Sequence, residues 1–160
     1  MNKHIVICAE ELQGRPIRES IPVEEIAPNK YKVLASPGYA NGFASGDLLE
    51  LVDSEGHFRV LKRAGNVCVQ VFFEGDKQAA IEELGMRFAA LKGWLDGGSD
   101  SPAGHLLIYT IPKATSFSAI EKVFEELPAS IRLDTWMYGN IYADDGSPLN
   151  WWQGGAGEVS

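Results

Sequence analysis

Apolar positions alternate along the first half of the chain and recur at helical spacing in the second. Residues 4–9 (HIVICA) form a short apolar run, and 16–26 (PIRESIPVEEI) alternate loosely around Pro22. Proline cannot donate to a ladder, so this segment is expected at a sheet edge or a bulge. After a turn at 27–30, residues 31–36 read as a strand. Segments 47–53 and 57–63 flank Ser54-Glu55-Gly56, which predicts a hairpin with Gly56 in the left-handed position. Val67, Val69, Val71 and Phe73 fall on one face of 66–74, the pattern of a core strand.

The period then changes. Ile81, Leu84, Phe88, Leu91 and Leu95 recur every three or four residues, predicting one helix across 76–95. Asp76 is its expected N-cap and Gly97-Gly98 its stop. Residues 104–112 (GHLLIYTIP) are apolar on both faces, as in a strand covered twice. Phe117, Ile120, Phe124 and Leu127 give a second, shorter helix that ends at Pro128, with Ser118-x-x-Glu121 as a capping box. In 131–143, Ile131, Leu133, Thr135 and Met137 face one way and Arg132, Asp134, Trp136 and Tyr138 the other; Gly139-Asn140 is either a hairpin turn or a mid-strand bulge. The fold expected from this order is α+β. A β-rich N-terminal half over 1–65, a small barrel-like sheet, packs with a ferredoxin-like β-α-β-α-β C-terminal half over 66–143, followed by a tail at 144–160. At 160 residues with no linker between the halves, the chain reads as one domain.

Residues 36–47 (SPGYANGFASGD) break both periods. A phosphate cradle needs glycine amides feeding a helix N-terminus, and here they run into the alternating strand-like 48–52 without a following Lys-Ser/Thr. The stretch is expected to be a folding device. Gly42 and Gly46 supply turns, the Asp47 carboxylate bonds nearby amides, and Tyr39 and Phe43 cap the open end of the β-rich half.

Charge narrows the partners. The formal net charge is −8 with 14 basic residues, and no Lys/Arg cluster could track a phosphate backbone, so nucleic acid is not expected. No apolar run reaches the roughly 20 residues of a membrane span. The N-terminal apolar run is too short for a secretory segment and is followed at once by Glu10 and Glu11, which reads as a cytoplasmic protein. Cys8 and Cys68, 60 positions apart in apolar runs, are expected as free core thiols.

Several short motifs occur together: Glu19-Ser20, Tyr31-Lys32-Val33, Tyr39-Ala40-Asn41-Gly42, Gly46-Asp47-Leu48-Leu49-Glu50, Leu84-Gly85 and Ile111-Pro112. In these the chain resembles domain-of-unknown-function family 4265, a group of uncharacterised bacterial proteins, over roughly 16–143. Ile21 stands where the family pattern has an aromatic. The resemblance implies a self-contained bacterial cytoplasmic domain and carries over no catalytic residue.

Reactive groups do not assemble along the sequence. His4, His57 and His105 each sit at a strand entrance without ligands at metal spacing, so no metal or cofactor is expected. There is no Gly-x-Ser-x-Gly elbow and no thiol in an electropositive context, and no catalytic residue is assigned. The consecutive acids (Glu24-Glu25, Glu82-Glu83, Glu125-Glu126, Asp144-Asp145) read as solvated pairs. Aromatics carry more information. Trp136, Tyr138 and Tyr142, flanked by Arg132 and Asp134, with Trp151-Trp152 in the tail, are residue types typical of binding hot spots. The function expected is a non-catalytic binding protein, for example an immunity-type protein neutralising a basic protein partner. The alternatives are a homodimer, a small-molecule-binding ferredoxin-like domain, or, with less support, an enzyme of unassigned reaction.

Overall fold

A computed structural model describes residues 2–12, 15–112, 116–143 and 145–153. Two antiparallel sheets organise it. The first runs β1 (Asn2–Leu12), β2 (Arg15–Ala27), β3 (Lys30–Val33), β4 (Leu48–Leu51) and β5 (Phe58–Lys62), each strand beside its sequence neighbour. The second comprises β6 (Asn66–Phe73), β7 (Trp94–Ser101), β8 (Gly104–Pro112) and β9 (Thr135–Tyr138) in the order β7-β8-β6-β9. Helices α1 (Lys77–Ala89) and α2 (Phe117–Glu125) connect β6 to β7 and β8 to β9. Among the described residues no helix is long and apolar enough to cross a membrane.

The expected α+β fold, with its barrel-like sheet and ferredoxin-like β-α-β-α-β half, is corrected on two counts. Among the described residues the fold is mostly β, with two open antiparallel sheets, two α-helices and a short 3-10 helix at Trp151–Gln153. The first sheet curls until Cys8 N–H donates to Gly56 O (2.9 Å) across its ends, but this contact is not extended into a ladder and no barrel closes. The second half contains a strand, β7, where the sequence pattern continued a helix. Helix α1 stops at Ala89, the chain turns through Lys92 (φ +65°), and Leu95, the last beat of the helical period, belongs to β7. Gly97-Gly98 does not stop a helix. Gly98 lies so close to β8 that a Cβ there would meet Leu106 O at 2.4 Å.

Pro22 lies inside β2, which is paired on both sides. Its carbonyl accepts from Leu34 N–H (3.0 Å), one residue past the end of β3, so its missing donor removes no bond from that short ladder. Helix α1 is capped by Asp76, whose side chain accepts from Ala79 N–H, and α2 by Ser116 through Ala119 N–H rather than by the expected box at Ser118. The predicted strand across 131–143 shortens to β9.

Three apolar clusters result. Val67, Val69, Val71 and Phe73 of β6, with Leu107, Tyr109 and Ile111 of β8, bury one face of the second sheet against Leu84 and Phe88 of α1 and Ile120 of α2. Ile7, Ile21, Val23, Val33, Phe43 and Leu49 fill the first sheet. Cys68, Leu106 and Ile108, on the other face of the second sheet, are covered by Ala44 from the glycine-rich stretch. That stretch is therefore a strap between the sheets. Its sequence belongs to the first, and it seals the second.

Candidate functional site

The strap is held by carboxylates at both ends. Glu19, projecting from β2, accepts from three consecutive amides, Gly38 (2.7 Å), Tyr39 (3.0 Å) and Ala40 (2.8 Å). Asp47 accepts from Ala44 N–H (3.0 Å) and Ala64 N–H (2.8 Å). Burial pushes the Asp47 carboxyl up to about 6 even though both amides and the Arg63 guanidinium, 3.8 Å away, pull the other way. Gly42 and Gly46 adopt positive φ (+99° and +92°), which a side chain would strain. Just ahead of the first anchor, Ser36 Oγ meets Thr110 Oγ1 (2.6 Å), Ser36 N–H donates to Asp96, and Gln70 Nε2 donates to Pro37 O (3.2 Å). Phe43 is fully buried against Phe58, whereas Tyr39 is half exposed, its hydroxyl 3.0 Å from Ser99 Oγ. These contacts bind strap to sheet and leave Cys68 sealed beneath, its thiol pushed up to about 12 by burial.

Trp136, Tyr138, Trp151 and Trp152 gather at the β9 end of the second sheet, on its helix-covered face. Trp136 lies flat on Phe124 of α2, with centroids 4.2 Å apart and planes 6° from parallel. Tyr138 meets Trp136 and Phe117 edge-on, and Phe117 in turn meets Trp152. Trp151 is 3% exposed, donates Nε1–H to Asn140 O (2.8 Å) and lies under the Arg63 guanidinium. Trp151 therefore works in the core, and Trp152 packs at its margin. Buried Asn140 completes this end, accepting from Cys68 N–H (2.9 Å) and donating to Asn66 O (2.8 Å).

What remains accessible is the edge of β9. Asn41, Trp136, Met137, Tyr138, Gly139, Tyr142 and Ala143 line an open groove of about 440 Å³, and Arg132, Asp134, Trp136 and Phe124 are among those lining another of about 530 Å³. Trp136 belongs to both. Five of the seven sequence candidates (Arg132, Asp134, Trp136, Tyr138 and Tyr142) thus line two grooves that meet at one indole. Met137, not singled out in the sequence, is 48% exposed beside Tyr142 at 51%. Its alternation onto the face opposite Trp136 hides this role, because only the edge geometry joins the two faces. Tyr138 donates its hydroxyl to Glu121 Oε2 (3.1 Å), and burial together with that carboxylate raises its pKa.

Two other clusters contain titratable groups. At the β4–β5 turn, Asp53 accepts from the Glu55 and His57 amides and from His57 Nδ1 (2.7 Å), and Glu55 lies close enough that the three side chains form a potential ligand set, all exposed. Its hydrogen bonds are those of a capped hairpin turn. Asp100 bridges Lys77 Nζ and His105 Nδ1 beside a small cavity of about 170 Å³, and both partners hold its carboxyl below the usual range. Of the expected tail at 144–160, Asp144 and residues 154–160 lie outside those described.

No protein of curated function matches the chain. A crystal structure of a hypothetical protein from Neisseria gonorrhoeae shares the fold, with a TM-score of 0.57 over 86% of this chain and 92% of that one, at 15% identity. The family model described as "Domain of unknown function (DUF4265)" matches residues 19–133, from the Glu19 anchor through the strap to just before β9. Most of the chain lies within that match, and the protein belongs to this family.

Proposed function

We propose that the chain is a non-catalytic binding protein of the bacterial cytoplasm that holds a basic protein partner at the grooves around Trp136, as an immunity-type protein neutralises a basic toxin. The observation that carries this reading is the meeting of the two grooves at an indole already stacked on Phe124. A ring fixed before binding loses little freedom on association, and Trp and Tyr dominate interface energies. The charge of −8 favours a cationic partner and speeds its encounter. The test is affinity capture from a native lysate across a salt series, comparing the wild type with a Met137→Asp/Tyr142→Ala double variant of matched melting temperature. A stoichiometric basic protein, released by salt and held roughly tenfold or more weakly by the variant, is expected. Retention unchanged by the variant, or no stoichiometric partner at any salt, overturns the reading.

One observation favours a second reading. The groove of about 440 Å³ falls in the size range of small-molecule sites. A small ligand there raises the melting temperature with its concentration, without a protein partner.

A further inference from the structure

The sheets have four edges, β1, β5, β7 and β9. Unpaired edges invite pairing with other chains, and native proteins blunt them with charges, prolines or bulges. Three of the four are blunted here. β1 carries Lys3 and shifts register between Cys8 and Glu10. β5 carries Arg59 and Lys62. β7 carries Asp96 and Asp100 and shifts register between Leu95 and Gly97. β9, Thr-Trp-Met-Tyr, has no charge and no proline, and its register against β6 is unbroken.

Among the described residues β9 pairs with β6 alone. Gly139 N–H donates to Cys68 O (2.8 Å), so on the alternation of an antiparallel ladder Tyr138 and Trp136 turn their N–H and C=O groups to the open side. One groove is lined by β9 from Trp136 onward and the other by the residues that lead into Trp136. One acid, Asp134, and one base, Arg132, line the second groove; on α2 beside it Glu121 accepts from Tyr138 and exposed Glu125 accompanies exposed Lys122, so the three acids outnumber the two bases, in line with the net charge of −8.

Resting on the reading of this edge as the binding surface, we infer that the partner contributes an extended basic segment that adds to β9 as a fifth strand of the second sheet. Four residues of β9 span about 13 Å, so four or five partner residues pair with it. Their backbone meets Trp136 and Tyr138, and alternate side chains enter the grooves and place Lys or Arg near Asp134 and Glu121.

The test uses the full chain and displayed random octapeptides selected on it at low salt, followed by synthesis of the enriched peptides. Expected are sequences with Lys or Arg alternating with apolar residues. Hydrogen exchange at the Trp136 and Tyr138 amides slows at least tenfold in the complex. N-methylation of alternate peptide amides weakens binding at least tenfold in one register and little in the other. Bound peptides that leave those two amides unprotected overturn strand addition while sparing the binding reading. Enriched peptides without basic residues overturn the assigned partner chemistry. Protection of the same amides by self-association, without peptide, assigns the edge to a second copy and overturns the inference. No enrichment by the folded protein overturns strand addition, and the lysate capture above then decides the broader reading separately.

Discussion

Replacing Asp47 with asparagine tests the strap at its most buried anchor. Asp47 is 1% exposed, and its two oxygens accept from Ala44 and Ala64. Desolvation outweighs those bonds and Arg63, so the folded carboxyl titrates near 6 rather than at the 3.8 of an exposed aspartate. The folded value is the raised one, so the group's contribution to stability is complete below about pH 4 and is lost as pH climbs through 6. A difference of that size corresponds to roughly 3 kcal/mol. The substituted side chain cannot ionise, but its amide group turns one donor toward a backbone N–H, a mismatch costing about 1–3 kcal/mol at any pH. Urea unfolding of wild type and Asp47→Asn, measured in parallel from acid to mildly alkaline pH, isolates the effect, because carboxylates such as Asp53 and Asp100 titrate alike in both. The wild-type advantage is expected to shrink by about 3 kcal/mol on going from below pH 4 to above pH 7, mostly between 4 and 6. Parallel stability profiles would refute the reasoning and show that the carboxylate is not desolvated by the strap.

Two further predictions follow from close approach and burial. Gly98→Ala sets a Cβ 2.4 Å from Leu106 O and is expected to destabilise by about 1–3 kcal/mol or more, whereas Gly97→Ala, with nothing within 4 Å, stays close to wild type; urea midpoints compare them directly. In the native protein at neutral pH a thiol reagent is expected to label partly exposed Cys8 and to spare Cys68 by orders of magnitude until the fold opens, and equal labelling rates by mass spectrometry would contradict the sealed face.

Strands that bury side chains on one face were legible, because alternation reports that burial directly. The β4–β5 hairpin, β6, the doubly covered β8 and the Asp76 start of α1 follow from period and turn chemistry, whereas α2 starts from Ser116, two residues before the box expected at Ser118. β7 was not legible. Its Asp-Gly-Gly-Ser-Asp-Ser run has little to bury, and the backbone of β8 holds it in place. The anchors of the strap are long-range pairs, Glu19 with 38–40 and Asp47 with Ala64, and spacing along the chain cannot announce them. Glu19, Tyr39, Ala40 and Asp47 do fall within the short motifs on which the chain resembles the family. Aromatic composition did not separate Trp151, consumed by the core, from Trp136 and Tyr142, which line the grooves.

The strap also governs what can be cut from this chain. A fragment starting at β6 would leave Leu106, Ile108 and Cys68 open to water, and a fragment ending after β5 would carry Ala44 with nothing to cover. Neither piece is a portable module, so recombination that exchanges one half for a foreign sequence must bring a matching lid with it.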